Sequence, residues 1–243
     1  MKWNEVFCHT FKELRKHIEP EVSRPSDFML PSFPMIEACR ANDFDFFLPF
    51  LDSGRLTIED MHHAAERYHL GKTRSGQPVF WMIDDMLQPL DAHIGEGWIS
   101  TLLKRREPLL ECWQVQHCLF GLHQLSSELE QLPAGGCNMP IAIVESEASA
   151  VVLSELYPET VWMAYATTLH LCPELFAPLA GRRVTIYPRT DPTLSTFLFF
   201  EDLVDLIRRQ YDIDITVDPI LENHATADQK ERCIDILEFL IEN

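Results

Sequence analysis

Ile141-Ala142-Ile143-Val144-Glu145-Ser146-Glu147-Ala148-Ser149-Ala150 and, further on, Gly181-Arg182-Arg183-Val184-Thr185-Ile186-Tyr187-Pro188-Arg189-Thr190-Asp191 decide how this chain folds. Each is a short apolar run of β-forming residues that passes straight into polar side chains. Such runs fit strands buried on both faces, and the polar groups just past their ends sit where α/β folds place ligands.

Around these two runs the pattern alternates. Strand Ile141 to Val144 is followed by helix Ser146 to Leu156, strand Val161 to Ala164 and a short helix near Pro173 to Leu179. Strand Val184 to Tyr187, helix Leu194 to Arg209, strand Ile213 to Val217 and helix Ala227 to Ile241 complete the series. Repeated βα units of this length predict a parallel sheet covered by helices, with right-handed crossovers. Pro133-Ala134-Gly135-Gly136-Cys137-Asn138 precedes the series and marks a boundary.

Upstream, apolar residues recur at helical spacing from Trp3 to Ile18 (Trp3, Val6, Phe7, Phe11, Leu14, Ile18), followed by a proline-rich linker, Ser23 to Pro34. This first segment is expected to be an appendage that docks on the body or on another subunit. A helical region spans Phe33 to Leu51 with a break at Asn42-Asp43. Thr57 and Asp60 form a capping-box-like start to a helix reaching about Tyr68. Lys72 to Gln77 leads into Val79-Phe80-Trp81-Met82-Ile83, a hairpin whose turn contains Ser75-Gly76. Three segments result: 1–32 (helix and linker), 33–135 (a smaller α+β unit) and 136–243 (the βα series).

The chain has 243 residues, 46% of them hydrophobic, and a net charge of −18. That length and composition suffice for a sizeable core. The acidity opposes the phosphate neutralisation on which most nucleic-acid affinity rests. Seven scattered cysteines, none in a C-x-x-C pair, argue against a disulfide framework and a zinc ribbon, so a reducing cytoplasmic setting is expected. No apolar run approaches the roughly 18 to 20 residues of a membrane helix, and no membrane partner is expected.

Several small clusters carry possible chemistry. His62, His63 and Glu66 share a helix face, but no further ligand is suggested nearby, so a solvated face is the better reading. Lys104-Arg105-Arg106 is short for a binding patch, and Cys112, His117 and Cys118 lack a fourth zinc ligand. Trp81, Trp98 and Trp113 read as core anchors. Dinucleotide, P-loop, nucleophile-elbow and zincin motifs are all missing from the sequence.

Ile143 to Ala150, then Trp162-Met163-Ala164, then Leu179 to Pro188 followed by Asp191 resemble the toprim domain of primases and topoisomerases. Within that group the chain looks most like primase-related proteins of Bacteroidetes mobile elements. Tyr68 to Gly71, Val79 to Asp84, Trp98 to Lys104 and Cys118 to Gly121 are similar to the segment that precedes toprim in those proteins, so the resemblance runs from about Phe33 to the C-terminus. It implies an α/β fold, a toprim-like parallel sheet flanked by helices and preceded by a smaller α+β unit. It also implies a link to DNA replication or to mobilisation of a mobile element, nucleic acid as partner and Mg²⁺ as cofactor.

In that family a glutamate closing the first strand acts as acid or base, and an Asp-x-Asp pair closing a later strand holds Mg²⁺. Glu145 matches the glutamate as catalytic residue and metal ligand, and Asp191 matches the second aspartate as metal ligand. Arg189 stands where the first aspartate belongs, and a guanidinium cannot ligate a cation. Ser146, Ala148 and Ala166-Thr167 depart from the family pattern as well.

The first expectation is therefore a toprim-like protein with weak or lost metal-dependent catalysis, in which Arg189 pairs with Glu145 or Asp191. A second is an active Mg²⁺-dependent primase- or nuclease-like enzyme, with Glu145, Glu147 and Asp191 as a reduced metal site and Arg182, Arg183 and Arg189 on phosphate. A third is a non-enzymatic accessory subunit with a protein partner. The alternative to all three is that Glu145 is merely a strand-end carboxylate.

Overall fold

In the computed structural model, residues 31–95, 97–106, 115–126 and 139–243 are described. The appendage reading of Trp3 to Ile18 and the boundary at Pro133 to Asn138 lie outside these residues, as do Cys112 and Trp113.

The described residues form an α/β protein with two four-stranded sheets. The first is an antiparallel meander of β1 (Gly71–Lys72), β2 (Pro78–Ile83), β3 (Pro89–Ile94) and β4 (Gly97–Trp98). Before it come helices α1 (Phe33–Cys39), α2 (Leu48–Asp52) and α3 (Ile58–Arg67), and after it α4 (Ile99–Arg106). The Ser75-Gly76 hairpin forms, with Gly76 at φ +84°, where a side chain would be strained. Thr57 and Asp60 make the reciprocal capping box on α3, the shorter Asp reaching the Thr57 N–H at 2.7 Å. Lys104 and Arg105 lie in the last turn of α4, where cations complement the helix dipole.

The second sheet is wholly parallel, in the order β6-β5-β7-β8: β5 (Ile141–Val144), β6 (Val161–Ala164), β7 (Arg183–Ile186) and β8 (Asp214–Val217). Helix α5 (Glu147–Leu156) joins β5 to β6 on one face, and α6 (Ser195–Gln210) joins β7 to β8 on the other. Strand order therefore reverses at β5, between β6 and β7. The segment Pro173–Leu179 is a 3-10 helix with Pro178 inside it, where the proline supplies no N–H to the helix.

The expected single helix from Ala227 to Ile241 is a correction. Three short helices occupy the C-terminus: α7 (Ile220–His224), α8 (Ala227–Glu231) and α9 (Ile236–Glu242). Cys233 takes a left-handed backbone at φ +54°, and Asp235 restarts the helix with a capping box to Glu238. Apolar periodicity alone did not register that interruption.

One core joins the two sheets. Phe44, Phe47, Tyr68 and Phe80 from the first unit pack with Ala142, Val144 and the apolar face of α5. Tyr68 stacks on Phe120 at 5.1 Å, and its hydroxyl donates to the Trp162 carbonyl at 2.8 Å. Phe120 in turn pairs antiparallel with Ala164 at the edge of β6. Gly121 follows at φ +85°; a Cβ there would lie 3.0 Å from the Trp162 carbonyl, so the close approach needs glycine. On the opposite face of the parallel sheet Phe200, Leu203, Val204 and Ile207 of α6 are buried, each contributing about 1.5–3 kcal/mol. Trp81 is buried in a third cluster beneath α1 and α4, as a core anchor.

Candidate functional site

Parallel strands all point their carboxyl ends to one edge, and the crevice of an open α/β sheet lies where strand order reverses. Here that point is the gap between the ends of β6, β5 and β7. Glu145 follows β5, Tyr165 follows β6, and Tyr187-Pro188-Arg189 follow β7. The Tyr165 N–H donates to the Val144 carbonyl at 3.1 Å and the Tyr187 N–H to the Ile143 carbonyl at 2.8 Å, which ties both flanking loops to β5. Ala166, at φ +59°, turns back and donates to the Glu145 carbonyl at 3.0 Å.

Arg189 Nε donates directly to Glu145 Oε2, and the Tyr165 hydroxyl lies 3.4 Å from the same oxygen. Burial pushes the Glu145 carboxyl above its ordinary value, and the Arg189 charge and hydrogen bond pull it only part of the way back. Burial, and then the Glu145 charge, raise Tyr165 well above the usual phenol range, so its hydroxyl stays protonated as a donor. Of the residues singled out by sequence, Glu145 and Arg189 are brought together in this crevice.

Asp191 sits at the same end of the sheet with both oxygens engaged. Oδ1 accepts from the N–H of Thr193 at 2.7 Å, from the Thr193 hydroxyl at 2.5 Å and from the N–H of Ser195 at 3.2 Å; Oδ2 accepts from the N–H of Thr196 at 2.7 Å. The residue caps the start of α6, a task its own N-cap Leu194 cannot perform. Its carboxylate is covered by the loop it caps rather than set in the interior. Desolvation works to raise its pKa, but the Thr193 and Thr196 hydrogen bonds prevail and hold it well below the carboxylate range.

The other sequence candidates go elsewhere. Arg183 opens β7 and pairs loosely with Asp214 at 3.8 Å, so it and neighbouring Arg182 lie at the amino end of the strand, away from Arg189. The four-residue strand alone separates the two ends by roughly 10 Å. A single phosphate held by all three arginines is incompatible with that placement. Glu147 turns from the crevice to His93 on β3, at 2.6 Å. His63 meets the largely buried carboxylate of Glu155 on α5 at 3.2 Å, and Glu66 meets Arg40 at 3.4 Å in a surface ion pair. His62 helps to line a separate surface cleft of about 420 Å³, with Arg40, Asn42 and Glu66.

Among the described residues no three His, Cys, Asp or Glu side chains lie close enough together to hold a metal ion. The donor set a divalent cation needs is not assembled at the crevice, because a guanidinium covers one carboxylate and main-chain N–H groups cover the other.

Three participants were not foreseen. Ser149 on α5 donates to Asp235 Oδ2, and Asp235 lies near enough to Glu145 to oppose its ionisation. The Thr190 N–H donates to the Ile234 carbonyl at 3.0 Å, and the Thr190 hydroxyl to Glu222 at 2.8 Å. The C-terminal segment is thus fastened over the carboxyl edge of β5 and β7. Asp235-Ile236-Leu237-Glu238 ahead of Phe239 and Leu240 was the signal, a capping box hidden inside an apolar-periodic stretch. Tyr165 had no local signal.

His93, the third, stacks on Trp98 at 5.0 Å and joins the two sheets through Glu147. Burial opposes its charge, but the hydrogen bond and charge of Glu147, with Asp91 beyond, raise its pKa above the ordinary 6.5. A raised histidine contributes stability that is complete below 6.5 and is lost as pH climbs through the folded value. Urea unfolding of His93→Gln beside wild type is therefore expected to show its largest deficit near pH 5.5, shrinking by pH 8.5. A deficit that grows with pH would contradict the pairing.

Residues 88–190 match a family described as a domain of unknown function, DUF6371. The match crosses both sheets, from β3 to the loop after β7; it contains Glu145 and Arg189 and stops one residue before Asp191. No curated protein matches the chain. No helix among the described residues is long and apolar enough to cross a membrane.

Proposed function

We propose that this chain is a toprim-like accessory protein of DNA replication or of mobile-element transfer, with the metal-dependent phosphoryl-transfer site replaced by an ion pair. The observation that carries the reading is Arg189 seated on Glu145 at the switch point of the parallel sheet. A toprim catalyst requires bare carboxylate oxygens there to share Mg²⁺ with phosphate. A guanidinium supplies a fixed positive charge in the same place, and it neither activates water nor exchanges ligands. The protein's contribution then comes from its surfaces, in keeping with a net charge of −18 that disfavours phosphate contact.

The test is a Mn²⁺ titration followed by calorimetry and by paramagnetic broadening of side-chain carboxyl signals, alongside primer-synthesis and nicking assays. Binding weaker than about 1 mM and no turnover are expected. Tight binding at Glu145 and Asp191, or an activity that Glu145→Gln abolishes, would overturn the proposal in favour of an active enzyme.

A further inference from the structure

Of the eleven large apolar side chains exposed among the described residues, four fall between positions 194 and 206, on α6 and its cap. They are Leu194, Leu198, Phe199 and Leu206, and Leu198 and Leu206 are 53% and 46% exposed. Scattered singly, such residues need no account, but these are concentrated on one helix. Phe199 and Leu206 are seven apart and share a stripe, while Leu194 and Leu198 lie one turn apart beside it. The inward face of α6 is already complete with Phe200, Leu203, Val204 and Ile207, so the outer stripe is surplus to the core.

The charge around the stripe selects its occupant. Asp202 lies between Phe199 and Leu206, with Glu201 and Asp205 alongside, all exposed. From 194 to 207 there is no Lys or Arg, although Arg208, one residue on, pairs with Asp205 at 3.5 Å. A second copy of α6 would oppose carboxylates to carboxylates. The complementary surface is an amphipathic segment with apolar residues at four- and three-residue steps and cations beside them.

The chain contains such a segment. Phe7, Phe11, Leu14 and Ile18 follow steps of four, three and four, and Lys2, Lys12, Arg15 and Lys16 outnumber Glu5 and Glu13, in a protein that is otherwise strongly acidic. Residues 19–32 provide a connection that spans up to roughly 45–50 Å when extended. A folded chain of this size has a radius of gyration of only about 18 Å, so the connection reaches well beyond the elements next to Phe33.

We propose that the outer face of α6 is the docking surface for Trp3 to Ile18 of the same chain, with Lys12, Arg15 and Lys16 facing the carboxylates around Asp202. Zero-length carbodiimide coupling of the full chain tests this, using an equal mixture of unlabelled and nitrogen-15-labelled protein and reading coupled peptides by mass spectrometry. Amide links from Lys12 or Lys16 to Glu201, Asp202 or Asp205 are expected within single-isotope molecules. They should fall about tenfold in Phe199→Asp/Leu206→Ser. Because those side chains point outward, the unfolding transition should be retained; if it is not, Asp202→Lys is the second variant, and links to Glu201 and Asp205 should fall in it. Lys72 and Asp43, an ion pair at 2.9 Å, serve as the internal positive control. Coupling of that control without links from Lys12 or Lys16 overturns the proposal. So do links confined to mixed-isotope pairs, which would mean docking between copies, and links that persist undiminished in the variants.

Discussion

Asp191→Ala is expected to lower the unfolding free energy by about 3 kcal/mol at neutral pH, because an ionised carboxylate accepting several short hydrogen bonds is lost from the start of α6, the longest of the described helices. The N–H groups of Thr193, Ser195 and Thr196 would then face a loop with no acceptor. Asp191→Asn should recover only part of the loss: its carbonyl oxygen replaces Oδ1, but its NH₂ would point a donor at the Thr196 N–H. The pH dependence has a definite sign. A depressed carboxylate contributes stability that is complete above the ordinary 3.8 and is lost as pH falls below it. Guanidinium unfolding at pH 7 and pH 2 measures both, and the wild-type advantage should narrow in acid. An Asp191→Ala protein as stable as wild type would mean that the residue is not a cap and would return it to candidacy as a free ligand.

The second large effect is expected at Asp91, a completely buried carboxylate in β3. It accepts from the Ser100 N–H at 2.9 Å, the Ser100 hydroxyl at 2.5 Å and the Ala92 N–H at 2.8 Å, which locks α4 to the antiparallel sheet. Asp91→Ala is expected to cost about 4 kcal/mol, since it strands buried donors and opens a small void together. Asp91→Asn should cost far less, because the Ser100 hydroxyl can rotate to accept from the new NH₂. Thermal unfolding of the two variants distinguishes hydrogen-bond geometry from buried charge as the source of the stability. Equal losses in both would assign the contribution to the charge.

These two aspartates also show where local sequence reasoning stops. The βα alternation that produced the parallel sheet was legible because buried strands read as apolar runs and helices as 3.6-residue periodicity, and both signals are local. The Thr57-Asp60 cap and the Ser75-Gly76 turn were legible for the same reason. Asp91 carried no such mark, since Ser100, its partner, lies nine residues away across a strand pair. Asp191 matches a metal-ligand position by resemblance, and nothing local marks the turn by which Thr193 to Thr196 bind it. The break at Cys233 also escaped, because a left-handed residue other than glycine or asparagine gives little compositional warning.

At the crevice, sequence by itself determined that a glutamate would end the first parallel strand and that an arginine would stand two residues before Asp191. It also determined the α/β class, because hydrophobic periodicity is encoded residue by residue. Only the tertiary structure decided that Arg189 closes on Glu145, that Arg182 and Arg183 belong to the opposite end of their strand, and that Glu147 turns away to His93. Strand order, which fixes which ends are neighbours, is set by long-range packing of the two faces of the sheet, and no local stretch of the chain contains it.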